Sequence, residues 1–178
     1  MKIPFYKPNI PKDFGILFSN SIKSGWLTTG SQVKKFEENL QIYLNAENVI
    51  GLNSCTAALH LALAAKDFGN GDKFILPTLT FASTIECGEY VGMEPILIDS
   101  EDNGFLFDLN QVEDIVKKDS SVKAIIPVHY AGEAVDLNTL WTLADKYNLF
   151  VLEDAAHALE STSGKIKVGN TNYAAAFS

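Results

Sequence analysis

Cysteine is scarce: Cys55 and Cys87 are the only two in 178 residues, so the chain carries neither a disulfide framework nor a paired metal-binding motif. Free thiols fit a reducing cytoplasm. No apolar run approaches the ~20 residues of a spanning helix, and residues 1–10, with Lys2 and Lys7, lack the apolar stretch of a secretory leader. The expectation is a cytoplasmic chain with no membrane partner. Positive charge is also short, with 14 Lys plus Arg against 22 Asp plus Glu and a formal net charge of -8, which leaves no basic footprint for nucleic acid. An acidic average still permits one local anion pocket. Repeats and low-complexity tracts are missing, and 47% hydrophobic with 20% charged residues excludes a disordered or collagen-like chain. Neither a Gly-x-Gly-x-x-Gly turn nor a glycine-rich loop with Lys is present, which removes the two commonest nucleotide cradles.

What is present, after Gly30, is an alternation of amphipathic helices and short apolar strands, the pattern of an α/β fold with a mostly parallel sheet and helices on both faces. Val33, Phe36, Leu40, Tyr43 and Leu44 recur at helical spacing behind Ser31, predicting a helix that packs one face. Residues 49–52 read as the first strand. Residues 56–65 are apolar all round, which predicts a helix buried on every side. Further strands are expected at 74–76, 95–98, 124–128, 149–152 and 174–178, and a helix at 83–91. Asp108 and Asp136 stand as caps of two more helices. Cys87 and Trp141 read as core.

Ligands of open α/β sheets sit at the carboxyl ends of the strands, so the polar residues there are the expected site wall. They are Asn53-Ser54-Cys55-Thr56, Thr78-Leu79-Thr80-Phe81, His129-Tyr130 and Glu153-Asp154. Ser54, Cys55 and Thr56 open a helix, where unpaired N–H groups and the dipole suit a phosphate; simple capping by Ser54 or Thr56 is the plainer alternative. Asp154 ends an apolar strand, so its carboxylate is partly desolvated at the sheet edge and wants a cationic partner, or serves as a cap. His129 either faces the site or bonds a neighbouring loop. His60, inside an apolar helix with no metal-spaced partner, reads as a core histidine.

Taken together, Ser24-Gly25-Trp26-Leu27-Thr28-Thr29-Gly30, Asn53-Ser54-Cys55-Thr56-Ala57-Ala58-Leu59-His60-Leu61-Ala62-Leu63, Pro127-Val128-His129-Tyr130-Ala131-Gly132 and Glu153-Asp154-Ala155-Ala156-His157-Ala158 resemble the DegT/DnrJ/EryC1/StrS sugar aminotransferases, in order and spacing. The resemblance runs from Pro4 to Ser178 and is strongest to the nucleotide-sugar 4-aminotransferases. It implies a pyridoxal phosphate (PLP) transferase of fold type I that moves an amino group, usually from glutamate, to a nucleotide-linked keto sugar for cell-surface polysaccharide. It also implies a homodimer, an amino-terminal arm at 1–30 and an incomplete large PLP-binding domain at 31–178. Asp154 resembles the partner of the pyridine nitrogen, and His157 the residue beside the phenolic oxygen. Phe81 matches the ring that stacks on the pyridine, and His129 lies on the same wall. Ser54, Cys55 and Thr56 match the phosphate turn, Ser178 a later serine on that phosphate, and Trp26 and Thr28 the arm facing the sugar nucleotide.

Two departures stand out: Glu160 replaces a small residue, and Asn172-Tyr173 replaces Gly-Asp. The family's Schiff-base lysine belongs to a Ser-Phe-His-x-x-Lys segment of which Ser178 is the only residue present, so residues 1–178 are expected neither to transaminate alone nor to fold cleanly. The alternatives within the resemblance are the dehydratase branch, in which His replaces that lysine, and a non-catalytic remnant.

Overall fold

The computed structural model describes residues 7–178; Lys2, Pro4 and the beginning of the expected arm lie outside them. In chain order the elements are α1 (Phe14–Lys23), α2 (Ser31–Leu44), α3 (Cys55–Ala64), β1 (Lys73–Pro77), α4 (Ala82–Glu89), β2 (Glu94–Ile98), α5 (Leu109–Val116), β3 (Val122–Ile125), α6 (Leu137–Tyr147), β4 (Phe150–Asp154), β5 (Thr162–Ser163), β6 (Ile166–Lys167) and β7 (Ala174–Ala176). Five strands form one parallel sheet in the order β2-β1-β3-β4-β7, and β5 and β6 make a small antiparallel hairpin.

The middles of the central strands are apolar, with Phe74, Ile75, Leu76, Ala124, Ile125, Val151 and Leu152 fully buried, because both faces of the sheet are covered there. In β1 the side chains alternate: Phe74 and Leu76 join Leu59 and Leu63 of α3 and Cys87 of α4, while Ile75 joins Val112 of α5 and Leu140 of α6. Helices therefore lie on both faces, as the alternation predicts. Asp108 and Asp136 cap α5 and α6, accepting from the backbone N–H of Asn110 and of Asn138 and Thr139. Cys87 is core, and Trp141 packs half-buried against the α5–α6 side.

Several expectations are corrected. Residues 49–52 form no regular element and join no ladder: among the described strands the sheet ends at β2 and β7, and Gly51 N–H is held instead by Glu37 Oε1 at 2.7 Å. An apolar run makes a strand only where a neighbour supplies the hydrogen bonds. Helix α3 is not buried all round; Leu59 and Leu63, one turn apart, face the sheet while Leu61 is exposed. Of α2 only Leu44 is buried, and Phe36 is exposed. Strand β3 ends at Ile125, short of 128, because Pro127 has no N–H for a ladder; Val128 meets Asp154 in an isolated bridge. The last strand stops at Ala176. Helix α1, none of whose residues is buried, and the β5–β6 hairpin are additions.

The two unusual residues each carry a long-range bond. Tyr43 OH of α2 donates to Glu160, and Tyr173 OH donates to Asp145 of α6. Burial, then the Asp145 carboxylate, pushes the Tyr173 phenol up to about 12.

Candidate functional site

Strands β1, β3 and β4 deliver their carboxyl ends to one small cleft of about 60 Å³, lined by Thr80, Phe81, Val128, His129, Tyr130, Asp154, Ala156 and His157. A larger open groove of about 590 Å³ runs between α2 and residues 49–53, but it holds none of the candidate chemical groups except Asn53 of the turn. The candidate side chains gather at the smaller cleft.

Asp154 is the last residue of β4, an interior strand, and it is 5% exposed; it is more deeply buried than a sheet-edge carboxylate. Thr84 Oγ1 donates to its Oδ2 at 2.8 Å, Ala156 N–H donates to its Oδ1 at 3.2 Å, and Cys55 Sγ lies 4.0 Å from Oδ1. These are neutral donors. Among the described residues no lysine forms an ion pair with it, and its burial favours a cationic partner because burying an unpaired carboxylate is costly. Its charge is felt nearby: burial first, and the Asp154 carboxylate second, push the thiols of Cys55 and Cys87 up to about 12.

His157 follows on the loop after β4. Its Nδ1 accepts from Ala131 N–H at 3.3 Å, and its ring meets Tyr130 edge-on at 6.2 Å. The turn 130–132 passes close over this loop: Gly132 has φ +87, a Cβ there would come within 3.3 Å of His157 O, and Ser161 Oγ donates to Gly132 O at 2.6 Å. Glycine is needed at that crossing.

His129 is fully buried, and both ring nitrogens are engaged. Val135 N–H donates to Nδ1 at 3.1 Å, so Nε2 carries the proton and faces Glu153 Oε2 at 3.3 Å, which also accepts from Gly169 N–H. Of the two readings of His129, the structure supplies the bonds of the second while leaving part of the residue on the cleft wall.

The amino end of α3 lies beside the carboxylate, as the Cys55 contact shows. Ser54 is its N-cap and accepts from Ala57 N–H at 3.1 Å, while Ser54 O takes Ala58 N–H. Cys55 and Thr56 occupy the first two helical positions, whose N–H groups have no intrahelical acceptor and point outward with the positive end of the dipole. No basic side chain is in this turn.

The structure thus gathers Asp154, His157, His129, Phe81 and the 54–56 turn. Phe81, as the residue preceding α4, is 76% exposed at the cleft mouth. Trp26, Thr28 and Ser178 do not line the cleft: Trp26 folds back on its own loop, Nε1 donating to Thr29 O at 2.8 Å, and all three are exposed. His60 is half-buried against Tyr90, ring centroids 5.3 Å apart, and not in the core. Thr84 lies outside the site wall expected from the sequence; the signal that points to it is a threonine in the first turn of the helix that follows a strand end on that wall.

The parallel sheet, with a buried carboxylate at the end of one strand and a helix amino terminus beside it, has the architecture of the fold type I PLP-dependent aminotransferases, which the solved structures it resembles share. The chain belongs to the DegT/DnrJ/EryC1/StrS aminotransferase family, whose model matches residues 9–178. It is 37% identical over 176 residues to the spore coat polysaccharide biosynthesis protein SpsC of Bacillus subtilis (strain 168), covering 99% of this chain and 45% of that one. To the UDP-4-amino-4-deoxy-L-arabinose–oxoglutarate aminotransferase of Shewanella sediminis (strain HAW-EB3) it is 34% identical over 157 residues, 88% of this chain and 40% of the other. The structure resembles NtdA of Bacillus subtilis, solved with bound cofactor PMP, with a TM-score of 0.80 at 29% identity, covering 88% of this chain and 36% of that one. The chain spans less than half the length of the curated relatives it matches.

The residues fit the cofactor of this class. A buried carboxylate held only by neutral donors suits a protonated pyridine nitrogen, and the free N–H groups opening α3 suit a phosphate.

Proposed function

We propose that this chain supplies the ring-binding and phosphate-binding half of a sugar aminotransferase that moves an amino group, from glutamate, to a nucleotide-linked keto sugar. The observation that carries the reading is Asp154: buried, uncompensated by any described cation, and directed by Thr84 and Ala156 into a cleft beside a helix amino terminus. When bound, PLP supplies an electron sink for the carbanion formed at the amino-bearing carbon. Asp154 holds the proton on the pyridine nitrogen that makes the sink effective. Phe81 offers an exposed ring at the cleft mouth for stacking, worth about 0.5 to 1.5 kcal/mol beyond area burial, so the 54–56 turn is the stronger anchor. His157, its Nδ1 fixed by Ala131 N–H, stands by the phenolic oxygen.

Trp26 and Thr28 contact the sugar nucleotide and Ser178 the phosphate once the remainder of the site, including a second subunit of a homodimer, is assembled. The surroundings are cytoplasmic, and the product serves cell-surface polysaccharide, as the name of the spore coat relative suggests. The test is Asp154→Asn in the intact enzyme, assayed for amino transfer from glutamate to a keto sugar nucleotide. The variant should lose activity by orders of magnitude; full activity would overturn the assignment.

A further inference from the structure

Behind the Asp154 carboxylate, which the cofactor reading takes as given, lies a hydrogen-bond chain that is a separate arrangement in the same region. Thr84, in the first turn of α4, is fully buried, and its hydroxyl has two neighbours: Thr80 Oγ1 and Asp154 Oδ2, each at 2.8 Å. A hydroxyl has one proton. The ionised carboxylate can only accept, so the Thr84 proton is given to Asp154 and the Thr80 proton to Thr84. With Ala156 N–H on the other oxygen, both carboxylate oxygens are held by protein, and the group cannot rotate about its last bond without breaking a hydrogen bond.

We propose that Thr84, oriented by Thr80, is a positioning residue that aims the Asp154 carboxylate at the pyridine nitrogen; the inference rests on the reading of Asp154 given above. The two residues are 70 positions apart and come from elements that flank the cleft, α4 after β1 and the end of β4. Thr84 does not line the cleft itself. Its contribution is the direction of another side chain, so its loss should weaken whatever depends on Asp154 and spare the phosphate turn.

The probe is pyridoxamine 5'-phosphate, which binds without a covalent bond and so reports these residues independently of the Schiff-base lysine. Fluorescence titration of the intact protein gives its Kd for the wild type, Thr84→Val, Thr84→Ser and Asp154→Asn, with thermal melts alongside. Valine keeps the shape of threonine and removes the hydroxyl; serine keeps the hydroxyl and removes the methyl. A positioning hydroxyl predicts that Thr84→Val weakens binding on the order of tenfold, as expected for one hydrogen bond to a charged group, while Thr84→Ser stays near wild type. The reverse order, serine weak and valine normal, would show a packing role and overturn the proposal. Normal binding by Thr84→Val with binding lost in Asp154→Asn would also overturn it while leaving the Asp154 reading intact. If Asp154→Asn itself binds normally, the underlying reading fails and the proposal with it.

Discussion

Gly88 is the point at which α4 comes closest to the sheet, and adding a single methyl there tests the link between packing and the cleft. A Cβ on Gly88 would stand 2.2 Å from Phe74 Cε1, 2.3 Å from Cζ and 2.8 Å from Cδ1. Ordinary carbon contacts lie at about 3.5 to 4.0 Å, so the ring or the helix must give by more than ~1 Å. The ring has no room to yield, since Phe74 is fully buried in the cluster with Leu59, Leu63, Leu76 and Met93. Overpacking of this kind costs about 3 kcal/mol, offset by about 1 kcal/mol from the better helix propensity of Ala, which leaves a net loss of roughly 2 kcal/mol. For a chain of this length that is a fall of roughly 4–8 °C in Tm, or a lower urea midpoint at unchanged slope. The same displacement reaches the site, because Thr84 is one turn back on the same face of α4 and would be levered away from Asp154. Gly88→Ala should therefore lose both stability and pyridoxamine 5'-phosphate affinity, and adding Phe74→Leu should recover part of each. Wild-type stability in Gly88→Ala, or no recovery in the double variant, would refute the packing argument.

Thr56→Val should weaken pyridoxamine 5'-phosphate binding by roughly 2- to 10-fold and leave binding of pyridoxamine, which lacks the phosphate, unchanged; equal effects on both ligands would remove Thr56 from the phosphate turn. Both thiols are pushed up to about 12 from an ordinary 9.0 by burial and by Asp154, so at pH 8 a thiol reagent should label the native protein about a thousandfold more slowly than the urea-unfolded chain. The sign follows: neutral thiols are favoured by folding, so this stabilisation is complete below about pH 9 and is lost as pH rises toward 12, visible as base-sensitive unfolding. His129→Leu leaves Glu153 buried with Gly169 N–H as its remaining donor, and should cost about 2–3 kcal/mol in chemical denaturation. An unchanged urea midpoint would show that the pair carries no stability.

The sequence by itself determined the layers and the chemistry-bearing ends. Alternation of helical and strand periods, the continuous apolar strands, and the caps at Asp108 and Asp136 were legible because each depends on residues within a turn or two of one another. Asp154 and the 54–56 turn were legible as site wall for the same reason: a polar residue ending an apolar strand, or opening an apolar helix, announces itself locally. What only the tertiary structure decided is which of these groups meet. Residues 49–52 have the pattern of a strand and no ladder, because pairing belongs to the neighbour and not to the run. The composition of α3 promised burial on every side, yet only the face turned to the sheet is covered. Thr84 and Asp154, and His129 and Glu153, are joined by the order β2-β1-β3-β4-β7, which places the ends of strands distant in the chain around one cleft. No local period encodes that order, because it is set by the simultaneous burial of both sheet faces and by the pairing of most polar groups trapped between them.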